Sequence, residues 1–334
     1  MTDKINGSVT YEIIGEIASG GMGSVYKAKL KGVEGFEKIV AIKTILNKHA
    51  EDKKFIERFV FEAKLVATLV HENIVQIYQL DKTDDTYFFV QEYVDGINLH
   101  DFIKFHKIVK ERLPVELAVF IASRIARGLA YAHSRYSPEG QPLNIIHCDI
   151  CPRNVLINRE GVTKITDFGI AKAATMQDSG RISGKFAFMS PEQYSDPASM
   201  TGQSDVYSLG VVLFLLLSFR YTRDVDLKRE DMIKQIKENY INWSALPDDL
   251  PSKLREILEK MLATDPAARF SSSAALAEEL ERYIYHDHYG PTIVTLANYL
   301  RKLMPGRFSD PLPGRDYQKT QRIPLVSVDK TVIL

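Results

Sequence analysis

His147-Cys148-Asp149-Ile150-Cys151-Pro152-Arg153-Asn154 reads as a polar turn, and its neighbours along the chain decide the fold. Asp149 and Asn154 stand five residues apart with Pro152 between them. A carboxylate at Asp149 can accept a proton from an incoming hydroxyl, and the amide of Asn154 can offer an oxygen to a metal. Thirteen residues further on, Asp167-Phe168-Gly169 places a second carboxylate just after an expected strand. Toward the N-terminus lie Val40-Ala41-Ile42-Lys43 and, earlier, Ile17-Ala18-Ser19-Gly20-Gly21-Met22-Gly23-Ser24-Val25. Each block alone is a weak signal. In this order they lay out sites for a nucleoside triphosphate, two metal ions and a proton acceptor, which is what phosphoryl transfer asks of a protein.

The glycine turn sits between two alternating apolar stretches. Gly20, Gly21 and Gly23 let backbone N–H groups approach phosphate oxygens with no Cβ in the way. Ala18, Ser19 and Met22 complete that turn, and Val25 can roof an adenine ring. Ala41 and Lys43 share an apolar strand. Glu62 falls on the same helical face as Phe59, Leu65, Val66 and Leu69. A buried carboxylate there needs a cation, and Lys43 is the expected one, held against the α- and β-phosphates. Asp167 and Asn154 are the expected metal ligands.

Bulk composition narrows the class. The chain has 334 residues, 45% hydrophobic and 26% charged, as in an ordinary globular protein. Lys+Arg and Asp+Glu both number 43. Zero net charge excludes general nucleic-acid or membrane-surface binding as the first reading. With Cys148 and Cys151 as the two cysteines, a disulfide-stapled secreted fold is not expected. The first residues lack the apolar core of a signal peptide. The longest apolar run, 209–219, is shorter than the roughly 20 residues of a membrane span. It reads as a helix buried at the centre of a lobe, and a cytoplasmic protein is expected.

Along the chain, residues 11–17, 25–30 and 39–44 read as antiparallel strands, 53–69 as a helix, and 77–80 and 87–93 as further strands. After Gly96 the pattern turns helical, with a helix expected from Pro114 to residue 136. Short strands at 155–157 and 163–165 flank a turn at 159–161. Residues 167–192 have no clean period and are rich in Gly, Ser and Ala, a composition expected to be mobile. Helices follow at 205–218, 228–238, 251–262, 273–283 and 291–304. From Pro305 the chain reads as a tail.

With these motifs in place, the chain resembles the eukaryotic-like (Hanks-type) Ser/Thr protein kinases, and their bacterial branch in particular. Gly-Gly-Met-Gly at 20–23, Glu34-Gly35-Phe36-Glu37-Lys38 and Met189-Ser190-Pro191-Glu192-Gln193 carry that resemblance, which spans about residues 11–285. It implies an α+β bilobal fold, with a small antiparallel-sheet lobe (11–94) bearing one helix and a larger, mainly helical lobe (95–285). An N-terminal extension (1–10) and a C-terminal helix with a flexible tail (286–334) flank it. It implies ATP with Mg2+, Mn2+ being the alternative ion, and transfer to Ser or Thr of protein substrates, with autophosphorylation. It further implies a hinge at Glu92 to Val94 that bonds adenine, Gln91 as gatekeeper, Asp205 as anchor of the central helix, and an Arg269–Glu192 pair.

Four positions depart from that pattern. Ala18 replaces the first loop glycine. Cys148 replaces the arginine that reads a phosphate on the activation loop, so loop phosphorylation is not the expected on-switch, although Thr175, Ser179 and Ser183 remain acceptors. Cys151 replaces the lysine that supports the γ-phosphate. Lys185, which stands where the pattern has a threonine in the peptide-docking segment, is the favoured substitute, and Arg153 is the alternative. The Cys-x-x-Cys spacing around Asp149 is read first as two small space-filling residues and second as a redox switch. Thr320 and Thr331 in the tail are candidate autophosphorylation sites for a phosphothreonine-reading partner, and a homodimer is a further expectation. The competing functional readings are a pseudokinase scaffold and a kinase with tyrosine specificity.

Overall fold

The computed structural model describes residues 10–19, 23–45, 53–83, 86–168, 184–225 and 227–308. The strands β1 (Thr10–Ser19), β2 (Gly23–Lys31), β3 (Glu37–Ile45), β4 (Ile77–Thr83) and β5 (Thr86–Glu92) form one antiparallel sheet in the order β1-β2-β3-β5-β4. Alternation along each strand divides it into two faces. Ala28, Val40, Ile42 and Val90 form one, closed by Tyr11, Leu30 and Phe88. On the other, Val25 stands opposite Lys43, and Ala41 opposite Gln91. This second face meets α1 (Lys53–Ala67), whose Phe59 ring lies 5.0 Å from that of Phe89. A single helix thus covers the face that carries the lysine.

A second, three-stranded sheet follows, made of β6 (Gly96–Asn98), β7 (Val155–Asn158) and β8 (Thr163–Ile165). It places the two polar motifs. Val155 begins β7 directly after Asn154, and Ile165 ends β8 two residues before Asp167. Ile165 is also tied toward the first sheet, its N–H donating to the Asn73 carbonyl and its own carbonyl accepting from Val75 N–H. The tight turn between β7 and β8 needs Gly161, whose φ is +82° and whose missing Cβ would lie 2.0 Å from the Ile293 carbonyl oxygen.

The larger lobe is helical: α2 (Leu99–Val109), α3 (Val115–His133), α4 (Pro191–Ser195), α5 (Gly202–Ser218), α6 (Arg229–Lys237), α7 (Ser252–Met261) and α8 (Ser273–Ile284). The apolar run foreseen as a central helix is α5, buried on all sides from Ser204 to Leu217. A helix apolar all round can be stable only in that setting. The helix expected to reach residue 136 stops at His133, because Tyr136 turns off to bridge Pro142. Helix α2 emerges from the stretch read only as generally helical, capped by Asn98, which accepts from Asp101 N–H at 2.8 Å.

The chain beyond α8 packs back onto this lobe. Leu296, Leu300, Met304 and Phe308 of α9 (Ile293–Leu303) and its continuation through α10 (Pro305–Phe308) join the main core. Tyr299 OH meets Nε2 of the fully buried His106 at 2.8 Å, and the Arg307 guanidinium donates to the Gly96 carbonyl at 2.7 Å. Among the described residues, no helix is long and apolar enough to cross a membrane.

Candidate active site

Lys43 and Asp167 meet directly. The lysine Nζ lies 2.7 Å from Asp167 Oδ1 and 5.5 Å from the centre of the Phe89 ring. The partner foreseen for Lys43, Glu62, occupies the turn of α1 between the buried Phe59 and Val66, but its side chain lies outside the described residues. Asp167 holds a left-handed φ of +60°, which turns the chain sharply after β8. Phe168 is buried against His147, with ring centres 4.6 Å apart.

The loop 147–154, the candidate catalytic loop, hangs from one buried carboxylate. Asp205 accepts from His147 N–H at 2.7 Å, from Cys148 N–H at 2.9 Å and from His133 Nε2 at 2.8 Å. The His147 ring links the two polar motifs. Its Nδ1 accepts from Asp149 N–H at 3.2 Å, which leaves Nε2–H to donate to the Thr166 carbonyl at 3.0 Å. Asn154 then clasps Asp149. Its amide nitrogen donates to the Asp149 carbonyl at 2.8 Å and to Oδ2 at 2.9 Å. With the nitrogen so used, the amide Oδ1 is left as a pure acceptor suited to a hard cation.

Among the described residues, no group of three or more His, Cys, Asp or Glu side chains forms a metal cage. The donor set of one carboxylate and one amide oxygen instead fits a small divalent ion that takes its other ligands from phosphates and water.

The nucleotide side is set by strand register. Val25, Ala41, Lys43 and Gln91 share the face toward the cleft. Ser19 pairs with Ser24, their hydroxyl oxygens 3.1 Å apart, and closes the hairpin on either side of the glycine turn. Ala18 pairs with Val25, and Gly23 opens β2. Gly20, Gly21 and Met22 lie outside the described residues. Gln91 is buried and lines a small cavity with Val66, Ile77, Thr166 and Asp167. Glu92 has its side chain engaged by Lys164 at 3.1 Å and its N–H by the Gln76 carbonyl at 2.8 Å. Val94 follows outside any strand or helix.

The two candidates for the missing cation differ in what is visible. Arg153 is exposed and its Nη2 sits 3.3 Å from His100 Nε2 on α2. Burial, then this guanidinium, hold the His100 imidazole below its ordinary pKa, so the ring accepts. The Lys185 side chain lies outside the described residues, as do Gly169, Thr175, Ser179, Ser183, Thr320 and Thr331. Cys148 and Cys151 are both buried and form no disulfide. Burial, followed by the charges of Asp205 and Asp149, pushes the Cys148 thiol far up, so it is a poor thiolate source.

The pair read from the resemblance forms a buried clasp. Arg269 Nη1 and Nη2 lie 2.6 and 2.9 Å from the two oxygens of Glu192, which also accepts from Ser204 Oγ at 2.7 Å. Two residues that the sequence reading passed over, and Gln193, quoted there only within the 189–193 motif, also shape the site. His133 supports Asp205. Arg223, almost fully buried, donates to the Ala187 and Met189 carbonyls. Gln193 caps α4 and reaches the catalytic loop. The only sequence signal for these was the Ser-x-x-Gln spacing at 190–193, a capping-box pattern.

Comparison with known proteins agrees with this geometry. The protein kinase domain family matches residues 11–280. Tyrosine-protein kinase MasK of Myxococcus xanthus is 32% identical over 301 residues, covering 87% of this chain and 45% of its own length. Serine/threonine-protein kinase PrkC of Bacillus subtilis is 34% identical over 274 residues, covering 81% of this chain and 39% of its own. The chain therefore spans less than half the length of these relatives. Among solved structures, the kinase domain of Mycobacterium tuberculosis PknI superposes with a TM-score of 0.61 at 26% identity, covering 83% of this chain and 97% of that domain. Family membership brings with it general use of ATP and a divalent metal. The chain belongs to the protein kinase family, in its bacterial Hanks-type branch.

Proposed function

We propose that this chain transfers the γ-phosphate of Mg·ATP to Ser or Thr hydroxyls of protein substrates and of itself. Lys43 positions the α- and β-phosphates. Asn154 Oδ1 and Asp167 hold the ion, Mg2+ by preference and Mn2+ as the alternative. Asp149 orients the hydroxyl and takes its proton, while the hairpin of Ala18, Ser19, Gly23 and Val25 covers the nucleotide, with Ala41, Gln91 and the main chain of Glu92 and Val94 around the base. Lys185 supplies the cation lost at Cys151. The observation that carries the reading is the clasp of Asn154 on Asp149, which aims a carboxylate and frees a metal-binding oxygen in one contact. A cytoplasmic location, a homodimer and a phosphothreonine-reading partner belong to the same proposal.

A second reading, transfer to tyrosine, is favoured by the name of one relative, MasK. Both readings meet in one experiment: labelled γ-phosphate from Mg·ATP, offered to the chain itself and to a generic basic protein, with Asp149→Asn and Lys43→Met alongside. Label that disappears in both variants and maps to Ser or Thr supports the proposal. Label on tyrosine favours the second reading. ATP binding with no transfer by the unaltered chain rejects both and leaves a pseudokinase scaffold.

A further inference from the structure

Gln193 uses both ends of its side-chain amide. Its Oε1 accepts from Ser190 N–H at 2.8 Å and from Ser190 Oγ at 3.1 Å, which completes the cap of α4. Its Nε2 donates to the carbonyl of Cys148 at 3.0 Å, 45 residues away in sequence. A glutamate at this position would complete the same cap, since a capping box asks only for an acceptor. The cap therefore does not account for an amide. The second bond does.

Cys148 is where that bond matters. It is a Cβ-bearing residue at φ +61°, a left-handed conformation that persists only where its surroundings over-determine it. Its N–H is pinned by Asp205 and its carbonyl by Gln193. That carbonyl belongs to the same planar peptide as Asp149 N–H, so Gln193 sets the plane from which the Asp149 side chain departs. The other end of the bridge is equally fixed. Ser190 continues from Met189, whose carbonyl, with that of Ala187, accepts from the buried guanidinium of Arg223. Residues 187–190 are thus seated on the larger lobe and joined to the catalytic loop by a neutral amide. Among the described residues the Cys148 thiol bonds inward, to the Ile146 carbonyl at 3.6 Å, and a thiol brings no cation that a phosphate could recruit.

We infer that Gln193 is a positioning residue for Asp149, coupling the segment 187–190, where a substrate peptide docks, to the catalytic loop without a phosphate in residues 169–183. This rests on the phosphotransferase reading above.

The test is steady-state kinetics on phosphatase-treated full chain, comparing wild type with Gln193→Glu, which keeps the cap and loses the donor, and Gln193→Met, which loses both but keeps length and charge. Both variants are expected to lose kcat on the order of 10- to 100-fold, with KM for ATP within about twofold of wild type. Phosphatase treatment is expected to leave wild-type kcat unchanged. Wild-type kcat in Gln193→Glu would reduce the residue to a cap and overturn the inference, as would wild-type kcat in a folded Gln193→Met. Loss of wild-type kcat on dephosphorylation would also overturn it, and so would unfolding of both variants at the assay temperature. Absence of turnover in the wild type would reject the phosphotransferase reading itself. Turnover retained by both variants would reject this inference alone.

Discussion

The ammonium of Lys43 rests 2.7 Å from Oδ1 of Asp167, joining β3 of the small lobe to the turn after β8 across 124 residues of chain. Both side chains are only partly exposed, at 15% and 28%. The contact brings together the group assigned to the phosphates and the group assigned to the metal. Lys43→Met and Asp167→Asn should each lower kcat by about 10²–10³-fold, the usual cost of losing one preorganised charge at a transition state. They should differ in binding. Calorimetric titration with a nonhydrolysable ATP analogue is expected to show Mg2+-dependent affinity in Lys43→Met and Mg2+-independent affinity in Asp167→Asn.

Glu192 and Arg269 make the second prediction. Burial pushes the Glu192 carboxyl up, but the Arg269 guanidinium and the Ser204 hydroxyl outweigh it and hold the group below the ordinary carboxylate range. A depressed folded pKa contributes stability that is complete above the unfolded value of about 4.3 and is lost as pH falls through the folded one. Urea unfolding should therefore be flat with respect to this pair from pH 7 to about 5 and weaken below that. Arg269→Ala, which leaves a buried carboxylate unpaired, should cost about 3–5 kcal/mol at pH 7.

His106 responds to pH in the same direction, in a higher window. Burial, more than any other influence, lowers its pKa from the ordinary value of about 6.5. Its Nδ1–H donates to the Phe102 carbonyl at 2.9 Å, so Nε2 accepts from Tyr299 OH. The unfolded chain takes up a proton at a higher pH than the folded one, so this contribution is full above about 6.5 and declines as pH falls toward the folded value. Thermal melts should fall between pH 7 and 5.5, and His106→Gln should flatten that part of the profile. Tyr299→Phe should destabilise α9 by about 1–3 kcal/mol by leaving Nε2 unsatisfied.

Arg153 turns toward His100 on the exposed side of α2. Arg153→Ala should accordingly keep turnover within about threefold of wild type, the scale of a lost surface contact. Lys185→Ala should lower kcat by about 10²-fold if it carries the charge missing at Cys151. Full turnover in Lys185→Ala with loss in Arg153→Ala would reverse the assignment.

Cys148 and Cys151 are buried, and the Cys148 thiol is held far from ionisation. Mild peroxide should leave kcat unchanged relative to a reducing buffer, and iodoacetamide should label neither thiol until the chain unfolds. Rapid labelling of native protein would restore the redox reading of the Cys-x-x-Cys spacing.

Much of this was legible in the amino-acid order, because the informative residues are local. Period-two alternation marks β1 to β3, helical spacing marks α1 and α9, and the apolar run at 209–219, broken by Gly210 and Ser218, reads as a core helix. Asp149, Asn154 and Asp167 were readable because they sit in short turns whose neighbours punctuate them. The structure corrected local ends, such as the stop of α3 at His133, and separated α2 and β6 from a stretch with mixed period.

What the sequence supplied by itself was the resemblance to the family, with the two-lobed layout it implies, and the residue types of the candidate site, since the motifs that carry them are short and local. Partner choice belonged to the tertiary structure. That Lys43 pairs with Asp167, that Arg153 turns to His100, that His106 waits for Tyr299, 193 residues away, and that Gln193 reaches back to Cys148 all depend on elements meeting in space. A hydrogen bond is decided by distances of a few tenths of an ångström, and no period in the chain encodes which of several distant groups will lie within reach.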